Sequence, residues 1–255
     1  MKSIKNILSS SKYGLALFGL MILIGFGNAR LKERFITDIT INVDNQFENY
    51  FIDQSDVMEL LNQEGQDYLL NSNLGALNLK EVEERIENHQ FVDDAQAFVD
   101  IHGALSIEVK QNRPIARIVN GKGEDYYVST DGEILPESSH YTARVLLVML
   151  ENEYWIDEYN IRDSEEGEEI FKMIQYIVDH KFWNPQIAMM VIKKNLEIEL
   201  QPQVTKQIVE FGKAEDVEKK FRKLMAFYKS ILPYKGWNTY ERVSLKFKDQ
   251  IVCKK

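Results

Sequence analysis

The chain is nearly without cysteine: Cys253, close to the C-terminus, is the only one in 255 residues. No intrachain disulfide can form, and a lone terminal thiol supplies no metal ligand set. Basic excess is also missing. The net charge is −9, whereas a nucleic-acid groove needs Lys and Arg clustered on one face. The four histidines, His89, His102, His140 and His180, stand in no ligand spacing such as H-x-x-x-H, and no cysteine pair accompanies them. There is no G-x-S-x-G elbow, no P-loop and no dinucleotide fingerprint. Gly121-Lys122-Gly123 lies between two strand-like runs and reads as a hairpin turn. The acidic run at 163–169 lacks the alternating oxygen ligands of a calcium loop. Glu83-Glu84 and Asp93-Asp94 read as solvated helix-end charges rather than an acid/base pair. We therefore expect no catalytic residues, no metal and no cofactor, although a pair of groups distant in sequence leaves no such pattern.

What the chain does have is apolar material. A hydrophobic content of 44%, with three Trp, twelve Tyr and thirteen Phe, suits packed cores rather than disorder. The length allows one large domain or two small ones beyond an anchor. From Tyr13 to Ala29 the sequence YGLALFGLMILIGFGNA holds no ionisable side chain except the Tyr13 phenol. As a helix this run would span roughly 25 Å at about 1.5 Å per residue. That is a little short of the ~30 Å hydrocarbon core, and Lys12 and Arg30 can snorkel across the difference. A buried core helix would carry a polar stripe, which is absent. A cleavable signal peptide stays open, because Gly27-Asn28-Ala29 puts small residues at both positions a peptidase prefers.

Lys2, Lys5 and Lys12 before the run face Arg30, Lys32 and Arg34 after it, so the charge rule alone is nearly balanced. Length breaks the tie. Residues 1–12 form a short tail and everything that can fold follows, so the N-terminus is expected in the cytoplasm and the remainder outside.

Beyond the apolar run, Phe35 to Val43 sets Ile39, Ile41 and Val43 on one face, the period of a half-buried strand. Ser55 can cap a short helix bearing Val57, Leu60 and Leu61, closed by Gly65. Asn78, with Glu81 three residues on, can start a second helix whose Leu79, Val82 and Ile86 share a face. AQAFVDI and ALSIEV then read as strands joined through His102-Gly103. The order is strand, helix, helix, strand, strand: a small sheet with two helices on one face.

Farther on, Ser164 caps an acidic helix start, and Ile170, Ile174, Ile177 and Val178 form its apolar stripe. Strands follow at IAMMVIK, LEIELQP and QIVEFG, the last two meeting across Pro202-Gln203. A helix at 215–231 carries Val217, Phe221, Leu224, Tyr228 and Ile231 on one face and ends at Pro233 and Gly236. Finally Tyr240 to Lys248 alternates Val243, Leu245 and Phe247 with Arg242, Ser244, Lys246 and Lys248, as a terminal strand with one buried face would.

The first of these patterns resembles a POTRA domain, a module that bacteria place outside a membrane to bind polypeptides. Residues 79–117, LKEVEERIENHQFVDDAQAFVDIHGALSIEVKQNRPIAR, are similar to a stretch of the FtsQ/DivIB family of cell-division proteins. The features that match are Phe91-Val92, Ala95, the strand Leu105-Ser106-Ile107-Glu108-Val109 and the exit Arg113-Pro114-Ile115-Ala116. Tyr126 to Pro136 resembles the family's aromatic strand and "DGxxxP" hairpin.

The resemblance implies an α+β fold: a transmembrane helix at 13–29, a POTRA domain at 30–114, and at 115–255 a β domain of antiparallel sheet with packed helices. It also implies a non-enzymatic, single-pass scaffold of the inner membrane at the division septum. Its POTRA domain would dock upstream proteins. Its β domain would capture others, small single-span coiled-coil proteins above all, by strand addition at the late strand. The implied binding residues are Tyr240, Arg242, Val243, Ser244, Leu245, Lys246 and Phe247. No nucleic acid or small-molecule substrate is implied. Ser244 and Lys246 stand where an Asp and an Arg are common, and lysines on an edge can also repel other chains. Two further readings remain: an exported POTRA-containing binding or chaperone-like protein of envelope assembly, and a secreted hydrolase whose first 29 residues are removed.

Overall fold

The computed structural model describes residues 17–19, 21, 35–46, 49–62, 69–70, 72–119, 125–151 and 159–255. Of the expected span at 13–29, only 17–19 and 21 are among these, and they are helical; the rest lies outside the described residues. Among the described residues, no helix is long and apolar enough to cross a membrane. The chain divides into two compact units, Met1–Gln111 and Asn112–Lys255.

The first unit runs β1 (Asp38–Asp44), α1 (Gln54–Leu61), α2 (Leu79–Glu87), β2 (Val92–Val99) and β3 (Ala104–Gln111). Its sheet has the order β1-β3-β2, with β1 parallel and β2 antiparallel to β3. On β3, buried Leu105, Ile107 and Val109 alternate with exposed Glu108 and Lys110, so one face is core and the other is wet. Val57 and Leu61 of α1 and Val82 and Ile86 of α2 bury against it.

The helix starts differ from expectation. Asp53, not Ser55, caps α1: its Oδ1 accepts from the Ser55 and Asp56 amides at 2.7 and 3.0 Å, and Asp56 Oδ2 accepts from the Asp53 amide at 2.8 Å. A carboxylate reaches both amides, so it displaces the hydroxyl. Asn78 occupies the cap position of α2 but makes no side-chain cap bond. α1 closes at Asn62, and Gly65 lies outside the described residues. At the β2–β3 turn, Gly103 has φ +94°, and a Cβ there would lie 2.7 Å from the Phe35 carbonyl oxygen, so only glycine fits.

The second unit opens with β4 (Pro114–Val119), β5 (Tyr126–Ser129), β6 (Ile134–Pro136) and β7 (Leu146–Leu150). After a 3-10 turn at Ile161–Asp163 come α3 (Glu165–Asp179), α4 (Trp183–Gln186), β8 (Ile187–Ile192), β9 (Ile198–Pro202) and β10 (Ile208–Gly212). α5 (Val217–Ser230), α6 (Leu232–Lys235), β11 (Arg242–Ser244) and β12 (Val252–Lys254) complete it. The strands form one nine-stranded sheet, β12-β11-β10-β9-β8-β7-β4-β5-β6.

The expected antiparallel sheet is in fact mixed: β4–β7, β7–β8 and β10–β11 pair in parallel. The reason lies in the connections. Parallel neighbours need a long crossover, and α3 supplies one between β7 and β8 while α5 supplies another between β10 and β11. Residues 121–123 lie outside the described residues; the strands on either side, β4 and β5, pair antiparallel.

The two long helices furnish much of the core. Ser164 Oγ accepts from the Gly167 amide at 3.0 Å and starts α3, where a Cβ on Gly167 would collide with the Ile161 carbonyl. Ile170, Phe171, Met173, Ile174 and Ile177 then turn inward, while Val178 is only half-buried. From α5 come Leu224 and the rings of Phe221, Phe227 and Tyr228, which join Trp183 and Phe211 in one aromatic cluster. Ile231 falls outside the stripe and is exposed, because α5 ends at Ser230 and Leu232 takes the buried place. Pro233 does not stop the helix. It sits in the first turn of α6, where its missing N–H costs little, and Gly236 ends that helix.

Candidate partner-binding edge

The expected binding segment, 240–247, lies at one end of the nine-stranded sheet, but it is not the last strand. Only Arg242–Ser244 forms β11, and it is an interior strand. It pairs in parallel with β10, as Ile208↔Arg242, Val209↔Val243 and Glu210↔Ser244. On its other side it pairs antiparallel with β12, as Arg242↔Lys254, Val243↔Cys253 and Ser244↔Val252. Among the described residues the free edge therefore belongs to β12. The alternation that suggested one strand to Lys248 breaks after Leu245, where Lys223 of α5 intervenes. Its ammonium donates to the carbonyls of Leu245, Phe247 and Lys248 at 3.2, 2.5 and 3.3 Å. Three carbonyls drawn to one cation turn the chain back, and it returns as β12.

The seven expected residues separate by environment. Val243 and Leu245 are fully buried, and Ser244 is 7% exposed; all three anchor the strand to its own unit. Tyr240 is half-buried, its ring centroid 6.0 Å from that of Phe227. Arg242 and Lys246 join a ladder of charges. Arg242 Nε donates to Glu210 Oε1 at 2.5 Å, and its NH2 group bonds Glu199. Lys193 donates to Glu199 at 2.7 Å, and Lys246 donates to Glu197 Oε2 at 2.7 Å. Phe247 alone of the seven presents a large apolar surface, at 48% exposure.

These pairs set local acidity. The hydrogen bond from Arg242 holds the Glu210 carboxyl below its ordinary value, and the Lys246 ammonium does the same for Glu197. Burial raises the Cys253 thiol, so this lone cysteine on β12 is held toward the protonated, unreactive form.

Sequence reasoning missed β12 itself, with exposed Val252 and Lys254, and the acidic partners Glu199 on β9, Glu210 on β10 and Glu197 in the turn before β9. Val252–Lys254 is too short to show a period. The pair Lys254-Lys255 was the available signal, since terminal lysines are common at sheet edges. The histidines are structural where bonds are seen. His180 Nδ1 accepts from the Phe182 and Trp183 amides at 3.1 and 3.3 Å, and His89 Nδ1 accepts from the Phe91 amide at 3.4 Å. Among the described residues, no group of three or more His, Cys, Asp or Glu side chains could hold a metal ion.

Comparison with known proteins gives two family matches. A POTRA-like domain matches residues 34–110, the strand-helix-helix-strand-strand unit. The model described as FtsQ/DivIB, C-terminal related, matches residues 113–254, the nine-stranded unit. No curated protein matches the chain closely enough to count as a relative. Since the second match alone covers more than half of the residues, the chain belongs to the FtsQ/DivIB family of cell-division proteins.

Proposed function

We propose that the protein is a non-enzymatic scaffold of the bacterial division machinery, held in the cytoplasmic membrane by residues 13–29 with both folded units outside. In this reading residues 1–12 stay in the cytoplasm, and the two units recruit other division proteins at the septum. The observation that carries the proposal is the end of the large sheet. A three-residue edge strand, β12, carries exposed Val252, follows a return with exposed Phe247, and rests on a strand whose Arg242 bonds Glu210 of β10 and Glu199 of β9. An extended segment of a partner, such as a small single-span coiled-coil protein, can add beyond β12 through backbone bonds. Lys246, Lys248, Lys254 and Lys255 then discourage uncharged or basic strands and favour an acidic one.

The test is a pull-down of the detergent-solubilised full-length protein. Val243→Asp is the wrong probe, since it buries a charge in the core. Phe247→Asp and Val252→Asp alter exposed surface only. Small single-span coiled-coil proteins are expected to co-purify with wild type and to be lost from both variants, each checked by circular dichroism. If both folded variants keep the same partners, the site lies elsewhere. N-terminal sequencing that finds residue 30 as the first would replace the anchor with a cleaved signal.

A further inference from the structure

The first unit gathers exposed apolar side chains at one end. β1 and β3 pair in parallel, so the chain enters this sheet at the end marked by Asp38 and Ala104 and leaves it at the end marked by Asp44 and Gln111. Backbone bonds fix the entry end. The Thr37 amide donates to the Gly103 carbonyl at 3.0 Å, and the Ile36 amide donates to the Ser72 carbonyl at 3.0 Å. Phe35, bridged to Asn73, is thereby held beside the β2–β3 turn. Around this end stand Ile101 at the tip of the turn, 70% exposed, Phe35 at 56%, Phe98 at 48% and Leu70 at 39%. The acids here are turned to the backbone. Asp100 Oδ1 accepts from the His102 and Ala104 amides at 2.8 and 2.9 Å, and Asp38 Oδ1 accepts from the Ile39 amide at 2.9 Å. The exit end is charged instead: Asp44, Asp93, Asp94 and Lys110 are exposed there, with the exposed aromatic Tyr50 beside them.

The chain before Phe35 tells what covers the apolar end. Six backbone steps separate Phe35 from Ala29, the last residue of the apolar run, so the two stand at most ~20 Å apart. With residues 13–29 as a membrane anchor, the reading on which this inference rests, that tether keeps the entry end at the bilayer surface. Clustered exposed apolar side chains mark an interaction site, and such side chains enter the boundary between headgroups and acyl chains. We propose that the β2–β3 turn and Phe35 form a second foothold on the phospholipid bilayer, with Ile101 entering the headgroup layer of the leaflet from which the anchor emerges. The anchor makes this contact intramolecular, so weak partitioning suffices. A single anchor fixes where the unit is but not its tilt. The second contact fixes the tilt, and β3 then leads away from the membrane.

The experiment uses the full chain in vesicles of phosphatidylcholine and phosphatidylglycerol, with or without a headgroup-nitroxide lipid as quencher. Cys253→Ser removes the native thiol. A fluorophore is then attached through His102→Cys at the tip of the turn, or through Lys110→Cys, ~20 Å farther along β3. Fluorescence at 102 should be quenched, while that at 110 should match vesicles without quencher. Ile101→Asp should abolish the quenching at 102, and Ile101→Trp, which keeps an interfacial side chain, should retain it. Both substitutions change an exposed turn residue, and circular dichroism checks the fold. Vesicle flotation after a carbonate wash separates the foothold from the anchor. If the protein floats but 102 and 110 are quenched alike, or Ile101→Asp changes nothing, the foothold is overturned and the anchor stands. If the protein does not float, the anchor fails and the foothold falls with it. A label at 102 that the quencher does not reach, but that shows energy transfer between labelled copies, would assign the patch to a second copy and overturn the lipid contact.

Discussion

Arg242 resolves a conflict between two carboxylates. Glu199 and Glu210 stand directly opposite on β9 and β10, and like charges across a sheet repel. The guanidinium on β11 bonds both, and Lys193 adds a second cation to Glu199. This bonding lowers the Glu210 pKa from its ordinary 4.5, and Lys246 lowers that of Glu197. A carboxyl with a lowered folded-state pKa stabilises the fold above its unfolded value, and the contribution is lost as pH falls through the folded value. Replacing Arg242 with Met should therefore cost about 1 kcal/mol near neutral pH, kept small by solvent screening. The difference from wild type should shrink as pH falls below about 4.5 and through the lowered Glu210 value, since a protonated Glu210 no longer draws on the cation. Urea midpoints from pH 7 to pH 3 measure it. A gap independent of pH would mean that Arg242 acts by packing alone.

At the scale of elements, the return from β11 to β12 depends on Lys223. Removing its ammonium leaves three carbonyls without their cation, but the neighbouring core residues Leu224 and Phe227 stay in place. Lys223→Met should leave the sheet folded while amide exchange across 245–254 rises by about tenfold, the loss of a charged contact of roughly 1.5 kcal/mol. Partner capture should weaken along with it, because the edge is no longer held in place. Unchanged exchange there would show that β12 is held by its pairing alone.

Elements of this kind differ in how far sequence reveals them. β1, α1, α2, β2 and β3 were legible because each carries a clear period, as with Val82 and Ile86 on α2. β7 was not: Leu146 to Leu150 is a continuous apolar run, which periodicity cannot tell from buried helix. Strand direction was hidden too, since alternation in a strand is the same whether its neighbour runs parallel or antiparallel. The expected binding segment was half legible. Val243 and Leu245 were rightly placed on a buried face, but the edge they seemed to form is covered by a three-residue strand without a period. The carboxylates on β9 and β10 that hold Arg242 lie 43 and 32 residues away in sequence, and only the pairing of strands brings them together.

For the molecule as a whole, the two units have separate apolar cores, and all three tryptophans, Trp155, Trp183 and Trp237, lie in the second. That asymmetry allows their stabilities to be measured apart. Gln111, at the end of β3, is a strong lever on the first unit alone. Its Oε1 accepts from the Phe51 and Ile52 amides at 2.9 and 3.2 Å. Its Nε2 donates to the Asp44 and Asn49 carbonyls and to Asn45 Oδ1, at 3.1, 3.0 and 2.9 Å. One buried amide thus ties the 44–52 segment to the sheet. Leucine in its place would leave two donors and two carbonyls without partners, at about 3 kcal/mol or more. Gln111→Leu should therefore lower the temperature at which amides of β1–β3 lose protection, while the fluorescence midpoint reported by buried Trp183 stays where it was. If the tryptophan midpoint falls by the same amount, the two cores unfold as one. If it holds, β12 and its neighbours keep their edge when the POTRA-like unit has melted. Capture of partners at that edge should then persist to the higher of the two melting temperatures.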